Sequence, residues 1–203
     1  MSASKIHLSP KELELVKNAD ILLTKNIIID KVFELFGAVA HEVRDMIEQR
    51  PIDLPKEVLI QSPKISKGEN YKGLPYVMLD YPRCFGKEDS FAIRAFFWWG
   101  NFFSVTLHLK GSYKEKFLPA LKNNIPILRK ENFLIAASED EWNHAIEPGQ
   151  YSSMNAIAGP NAEMILADKV FLKLSSKLEL EHWNNSEEML LNIYRVIFKA
   201  LGY

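Results

Sequence analysis

A chain of 203 residues that is 47% hydrophobic and 25% charged has the balance of one globular core, which excludes a disordered tail and a bundle of membrane spans. Its formal net charge of -1 offers no global field to gather nucleic acid or anionic lipid. Cys84 is the only cysteine, so an internal disulfide framework and a multi-cysteine zinc site are excluded and a reducing, cytoplasmic setting is expected.

Met1 to Pro10 lacks the apolar stretch of a signal peptide, and no later run approaches the roughly 18 apolar residues of a membrane helix. Ser9, Pro10 and Glu12 form a helix opening: a cap, a first-turn proline and the acid that closes a capping box. Helical material is predicted to Arg50, where Pro51 stops it, with a break near Asp20 to Asn26. Ile28, Val32, Leu35, Phe36, Val39, Val43, Met46 and Ile47 recur three and four apart and predict one buried stripe.

From Pro51 to Gly73, five Pro and Gly residues among polar ones read as a long connection, with a short strand at Val58 to Gln61. Tyr76 to Tyr81 is predicted as a strand ended by Pro82. Ser90 to Lys110 then gives two aromatic and β-branched runs around Gly100-Asn101, the composition of a hairpin with a two-residue turn. That turn pairs Trp99 with Phe102, Phe97 with Ser104, Ala95 with Thr106 and Ile93 with His108 on one face. The other face receives Trp98 with Phe103, Phe96 with Val105, Arg94 with Leu107 and Ala92 with Leu109.

Tyr113 to Lys122 predicts a helix, Phe133 to Ala137 a strand, Glu147 to Pro160 a loop, and Ala162 to Ala167 a faint helical signal. Val170 to Glu181 alternates, with Val170, Leu172, Leu174, Leu178 and Leu180 inward and Lys173, Ser175, Lys177, Glu179 and Glu181 toward water. A final amphipathic helix opens at Asn185, with Glu188 placed to close a capping box, and runs to Leu201 before Gly202. Hairpins without a βαβ rhythm predict a single α+β domain over 1–203: a mainly antiparallel sheet with the aromatic hairpin at its centre and helices on one side and at the ends.

The run Tyr71-Lys72-Gly73-Leu74-Pro75 ahead of the aromatic strands, and Phe171-Leu172-Lys173-Leu174 ahead of a Ser-Glu-Glu-opened helix, resemble the YktB-like family of bacterial proteins. The resemblance implies a single-domain α+β fold and carries no catalytic residue onto these positions.

Among candidate chemistries, His41 and Asp45 lie one helical turn apart, but a zinc-protease pattern needs a second histidine where Asp45 stands, so no metal site is expected. Cys84 beside Arg83 reads as a small buried hydrophobe more readily than as a nucleophile served by His108. Glu139, Asp140, Glu141, His144 and Glu147 lack the glycine punctuation of a calcium loop and read as surface. Lys64, Lys67, Lys72, Arg83 and Lys87, interleaved with Tyr71, Tyr76, Tyr81 and Phe85, are diluted by Glu69, Glu88 and Asp89, so no nucleic-acid partner is expected.

The hairpin carries the sharper expectations. Arg94 on an apolar face needs a partner, and Asp80 on the preceding strand is the candidate. Ser104, Thr106 and His108 form a polar row that, with Phe97 and Trp99 as an aromatic floor, describes a small-molecule cleft. The first functional expectation is therefore a small-ligand-binding module using Ser104, Thr106, His108, Phe97, Trp99 and Arg94, without cofactor or membrane partner. The second is an enzyme acting on a small anion, with His108 as general base and Arg83 or Arg94 holding the substrate. The third is an interaction module or homodimer anchored by Trp98, Trp99, Phe102 and Phe103 at the hairpin tip.

Overall fold

In the computed structural model, which describes residues 6–49 and 53–203, seven strands form one fully antiparallel sheet. In chain order the elements are α1 (Pro10–Lys17), α2 (Ala19–Gln49), α3 (Lys56–Leu59), β1 (Lys64–Tyr71), β2 (Leu74–Phe85), β3 (Ser90–Trp98) and β4 (Phe102–Lys110). There follow α4 (Ser112–Asn123), α5 (Ile125–Lys130), β5 (Leu134–Ala136), β6 (Tyr151–Ser153), α6 (Gly159–Asp168), β7 (Phe171–Glu179), a 3-10 segment (Leu180–Asn185) and α7 (Ser186–Ala200). The strand order is β1-β2-β3-β4-β7-β5-β6, so the hairpin β3–β4 lies centrally and the α+β expectation holds.

The capping box forms as its residues dictate: Glu12 N donates to Ser9 Oγ at 3.3 Å and Ser9 N donates to Glu12 Oε2 at 2.6 Å. The first helical break falls at Asn18, earlier than the expected Asp20 to Asn26, because the Asn18 side chain accepts from Asp20 N and opens α2. Arg50 and Pro51, expected to end that helix, lie outside the described residues, as do Met1 to Lys5. Of α2, only the part from Ile29 onward is buried, with Val32, Phe36, Val39, Ala40 and Val43 continuing the stripe.

Val58 to Gln61 is not a strand. Pro55 starts a helical turn there, with Val58 N donating to the Pro55 carbonyl, and Val58 is buried beneath it. The supposed connection before Gly73 contains β1, an edge strand whose polar sequence suits a strand wetted on one side. The sharp reversal into β2 uses Lys72 at φ 49° and Gly73 at φ 85°, with Gly73 N donating to Asn70 Oδ1. β2 runs through Pro82 to Phe85 rather than ending there, because the pairing shifts between Asp80 and Arg83 and accommodates the missing N–H.

The decisive correction concerns the hairpin register. Trp98, not Trp99, pairs with Phe102; Phe97 meets Phe103, Phe96 meets Ser104, Arg94 meets Thr106 and Ala92 meets His108. The loop spans Trp99, Gly100 and Asn101, closed by Asn101 N donating to Trp98 O, with Gly100 at φ 69°. One residue of slip moves every β4 side chain to the opposite side relative to β3.

The slip separates the two faces cleanly. One face carries Phe91, Ile93, Ala95 and Phe97 beside Phe103, Val105, Leu107 and Leu109, extended by Val77 and Leu79 on β2 and Leu172 and Leu174 on β7. Helices α2, α4 and α7 cover it, and these residues form the main core. Phe97 therefore belongs to the helix-side core and floors no cleft. Trp99 sits half-buried in the loop with its edge toward Phe97.

The other face bears Asp80, Arg94, Thr106 and Ser175 in one row and His108 beside Lys173 in the next. Residues 137–150, which link β5 to β6 without regular structure, cross this face as a strap. The alternation of β7 is thus not one of dry and wet sides: Lys173 is 1% exposed and Ser175 0%, while Val170, expected inward, is exposed. No helix of the described residues is long and apolar enough to cross a membrane.

Candidate functional site

The strap-covered face assembles its polar groups from five stretches of chain. Asp80 comes from β2, Arg94 from β3, Thr106 and His108 from β4, Lys173 and Ser175 from β7, and Glu141 and His144 from the strap. Arg94 Nε donates to Asp80 Oδ1 at 2.6 Å and Nη2 to Oδ2 at 3.1 Å, the fork geometry that guanidinium and carboxylate planes favour. The third contact of Arg94, from Nη1 to His144 Nε2 at 2.9 Å, requires that nitrogen to accept, so His144 is neutral. Burial and the neighbouring Arg94 charge agree, lowering His144 to about 2.

Lys173 is the least expected member. Its ammonium donates to the backbone carbonyl of Glu141 at 3.1 Å and to that of Asn143, and no carboxylate of the described residues lies within ion-pairing distance of it. Burial, reinforced by Arg94, lowers it to about 7. His108 beside it is 1% exposed, and burial, with Lys173, Arg94 and Lys110 adding to it, lowers the ring to about 3. Its Nε2 lies 3.0 Å from Glu141 Oε1, yet neither ring nitrogen achieves the alignment of a hydrogen bond. Glu141 Oε2 is instead taken by Lys110 at 3.0 Å.

Tyr71 fixes the strap's other end. Its hydroxyl accepts from His144 N at 2.7 Å and Ala145 N at 2.9 Å, while Lys72 reaches Glu147 at 2.6 Å. Beneath that end Phe96, Trp98, Phe102 and Ala145 form a separate small apolar cluster with Tyr71 and Tyr76 packed against it. Toward the far end Phe85 and Trp142, their centroids 6.1 Å apart and both partly open to solvent, lie 5.7 and 5.9 Å from the Arg94 guanidinium. The arrangement is a cationic interior under a short strap, with an aromatic pair at its outer edge.

Measured against expectation, Arg94 does meet Asp80, and it shares a face with Ser104, Thr106 and His108 rather than opposing them. Thr106 Oγ1 bonds Ser175 Oγ at 2.7 Å, an internal partner. His108 is sealed, so the concave access that a general base requires is absent at this ring. Of the hairpin-tip aromatics, Trp98 is 4%, Phe102 3% and Phe103 0% exposed, which leaves Trp99 as the one partly open to solvent. Cys84 packs with the helix-side core, on the face opposite His108. Among the basic and aromatic residues from Lys64 to Lys87, Tyr81 is buried, Lys72 is paired with Glu147, and Lys67 lies over Phe33.

The surface reading of the segment from Glu139 to Glu147 missed Glu141 and His144, and the water-facing reading of β7 missed Lys173. The available signal was the aromatic content of β3 and β4, too great for either face to stay wet, which demanded a cover from elsewhere in the chain. His41 and Asp45 approach to 3.6 Å with Glu42 beside them on an exposed turn of α2. Two open clefts of about 360 and 550 Å³ lie elsewhere, one beside Lys177 and Glu188, the other between Arg44 and Tyr81. No protein-family model, curated protein or solved structure matches this chain.

Proposed function

We propose that this chain is a binding module for a small anion, a carboxylate or phosphate, received by Lys173 and Arg94 when residues 138–147, the middle of the strap, yield. One observation carries the reading: a buried lysine, without a carboxylate partner among the described residues, sits on the same face as a buried arginine. Buried cations are costly unless paired, and Lys173 satisfies its donors only with strap carbonyls that water would satisfy equally well once the strap lifts. An arriving anion would give Lys173 a charged acceptor and would accept from Arg94 Nη1 in place of His144. Phe85 and Trp142 at the outer edge would stack on a planar substituent of the ligand. The cytoplasm is the compartment in which we place this activity, on the strength of the lone Cys84.

The test is a thermal-shift and calorimetric series with inorganic phosphate, acetate and benzoate on the wild-type chain and on Lys173→Met. We expect at least one anion to raise Tm, with stabilisation of about 2.7 kcal/mol at a concentration 100 times its Kd. That gain disappears in Lys173→Met, and Trp142→Ala weakens benzoate more than phosphate. Absence of any shift across the series, or a shift that survives Lys173→Met, would overturn the reading.

A further inference from the structure

We propose, resting on the anion-binding reading of this face, that the anion is a small 2-oxo acid and that Lys173 forms a reversible imine with its carbonyl while Arg94 holds its carboxylate. One strand, β4, lies between the strands that carry the two residues. Their head groups nevertheless end on consecutive strap residues, Arg94 Nη1 on the His144 ring and Lys173 Nζ on the Asn143 carbonyl. A ligand that takes both places is short, as is an acid whose carbonyl adjoins its carboxylate.

The contacts of Lys173 suffice for a neutral amine. Among the described residues Nζ has two acceptors, the carbonyls of Glu141 and Asn143, and a neutral amine has two N–H donors to give them. An ammonium has three and leaves one unmet. Burial and then the Arg94 charge lower Lys173 to about 7, against the opposing pull of Asp140 and Glu141. A sizeable fraction is therefore free amine at neutral pH, where an ordinary lysine is free in roughly one molecule in 2,500. Lys114 supplies the contrast, since it also donates to two backbone carbonyls, those of Ala167 and Lys169 at the C-terminal end of α6. A helix C-terminus favours a cation, and after burial the largest influence on Lys114 is an acid, Asp168, whereas on Lys173 it is the guanidinium of Arg94.

The way in is marked by Trp142, which stands between the two strap residues whose carbonyls occupy Nζ and is exposed at the outer edge. Lifting Glu141 to His144 as a unit frees Lys173 Nζ and Arg94 Nη1 together. The step that follows is a condensation. The Nζ lone pair attacks the carbonyl carbon, a C=N bond replaces C=O, and the carbonyl oxygen leaves as water with the two amine protons. No electrons are gained or lost, so no further reactant is needed.

Pyruvate with cyanoborohydride at neutral pH, followed by peptide mass mapping of the wild-type full chain, tests the imine directly. We expect one reduced adduct on Lys173, blocking tryptic cleavage there and formed at least about ten-fold faster than on any other lysine, Lys114 included. The chain's α-amino group is resolved by its own peptide. Methyl pyruvate, which keeps the carbonyl and lacks the charge, should label Lys173 about ten-fold less, and lactate, which keeps the charge and lacks the carbonyl, should protect it. Labelling spread over the exposed lysines, or equal labelling by methyl pyruvate, would overturn the proposal. A Tm shift given by pyruvate and lactate alike and lost in Lys173→Met, with no adduct in the wild-type chain, would overturn the imine and leave the anion site standing. Neither shift nor adduct would overturn both.

Discussion

Arg94 on β3 and Asp80 on β2 stand directly opposite each other, joined by hydrogen bonds of 2.6 and 3.1 Å with both side chains 7% exposed. The pair lies within the sheet face that the strap covers, so neither charge can turn to water when the other is removed. Asp80→Asn should therefore destabilise the fold by about 3–5 kcal/mol in urea denaturation, because it leaves the guanidinium buried and uncompensated. Replacing both with apolar residues of similar length, Asp80→Leu with Arg94→Met, should cost far less than the single change. Equal losses in the two variants would show that the pair is not electrostatically coupled.

The histidines make stability depend on pH. His108 and His144 are lowered from an ordinary 6.5 to about 3 and about 2, so between pH 6.5 and those values the unfolded chain binds protons that the folded chain refuses. The stability they confer is complete above pH 6.5 and is lost as pH falls through that window. From pH 6.5 to 5 the loss is about 2 kcal/mol per histidine. His144→Gln, which keeps an acceptor for Arg94, should flatten the difference between urea midpoints at pH 7 and pH 5, and an unchanged slope would place the titration elsewhere.

Lys173 acts in the alkaline range. Its folded value of about 7 lies below the unfolded 10.5, so stability rises as pH goes from 7 to 10.5 and the full burial cost is present below 7. Lys173→Met removes that dependence. It also removes the donor that holds the Glu141 and Asn143 carbonyls, and amide exchange in residues 138–147 should accelerate by about ten-fold relative to β4. Mass-spectrometric hydrogen exchange reads this directly, and unchanged protection would mean that the contacts of Tyr71, Lys72, Arg94 and Lys110 secure the strap without Lys173.

Two glycines distinguish backbone strain from crowding. Gly100 has φ 69° with open space where a Cβ would stand, so Gly100→Ala should cost only the conformational penalty of about 1 kcal/mol. Gly111, at φ 58°, would place a Cβ 2.6 Å from the Glu88 carbonyl oxygen and against the Asp89 carboxylate that accepts from Ser112 N. Gly111→Ala should cost clearly more in the same denaturation assay. Equal penalties would remove the crowding term.

The elements with strong periodicity were legible from residues alone: the capping box at Ser9, the stripe through Val32, Phe36 and Val43, the aromatic hairpin, and the last helix. β1 was not, because an edge strand needs no inward apolar series and Lys64 to Tyr71 has almost none. The site was legible in part. Asp80 could be matched to Arg94 from the charge that burial would strand, whereas Lys173 could not, since a lysine in an alternating strand looks solvated until a distant segment is seen to lie over it. Gly100-Asn101 has the composition of a two-residue turn, yet Trp99 joins it in the loop, and the sorting of Phe97 and Trp99 against Ser104, Thr106 and His108 followed that miscount.

The loop of three residues at Trp99 to Asn101 acts on the central hairpin as a parity rule. Shortening or lengthening it by one would ask β4 to turn His108 and Thr106 into the hydrocarbon layer beneath the helices and to send Leu107 and Val105 under the strap. Changes of two would preserve the sorting. The electrical character of each side of this protein is thereby written in whether a loop is odd or even, at a point far from any of the charges it governs.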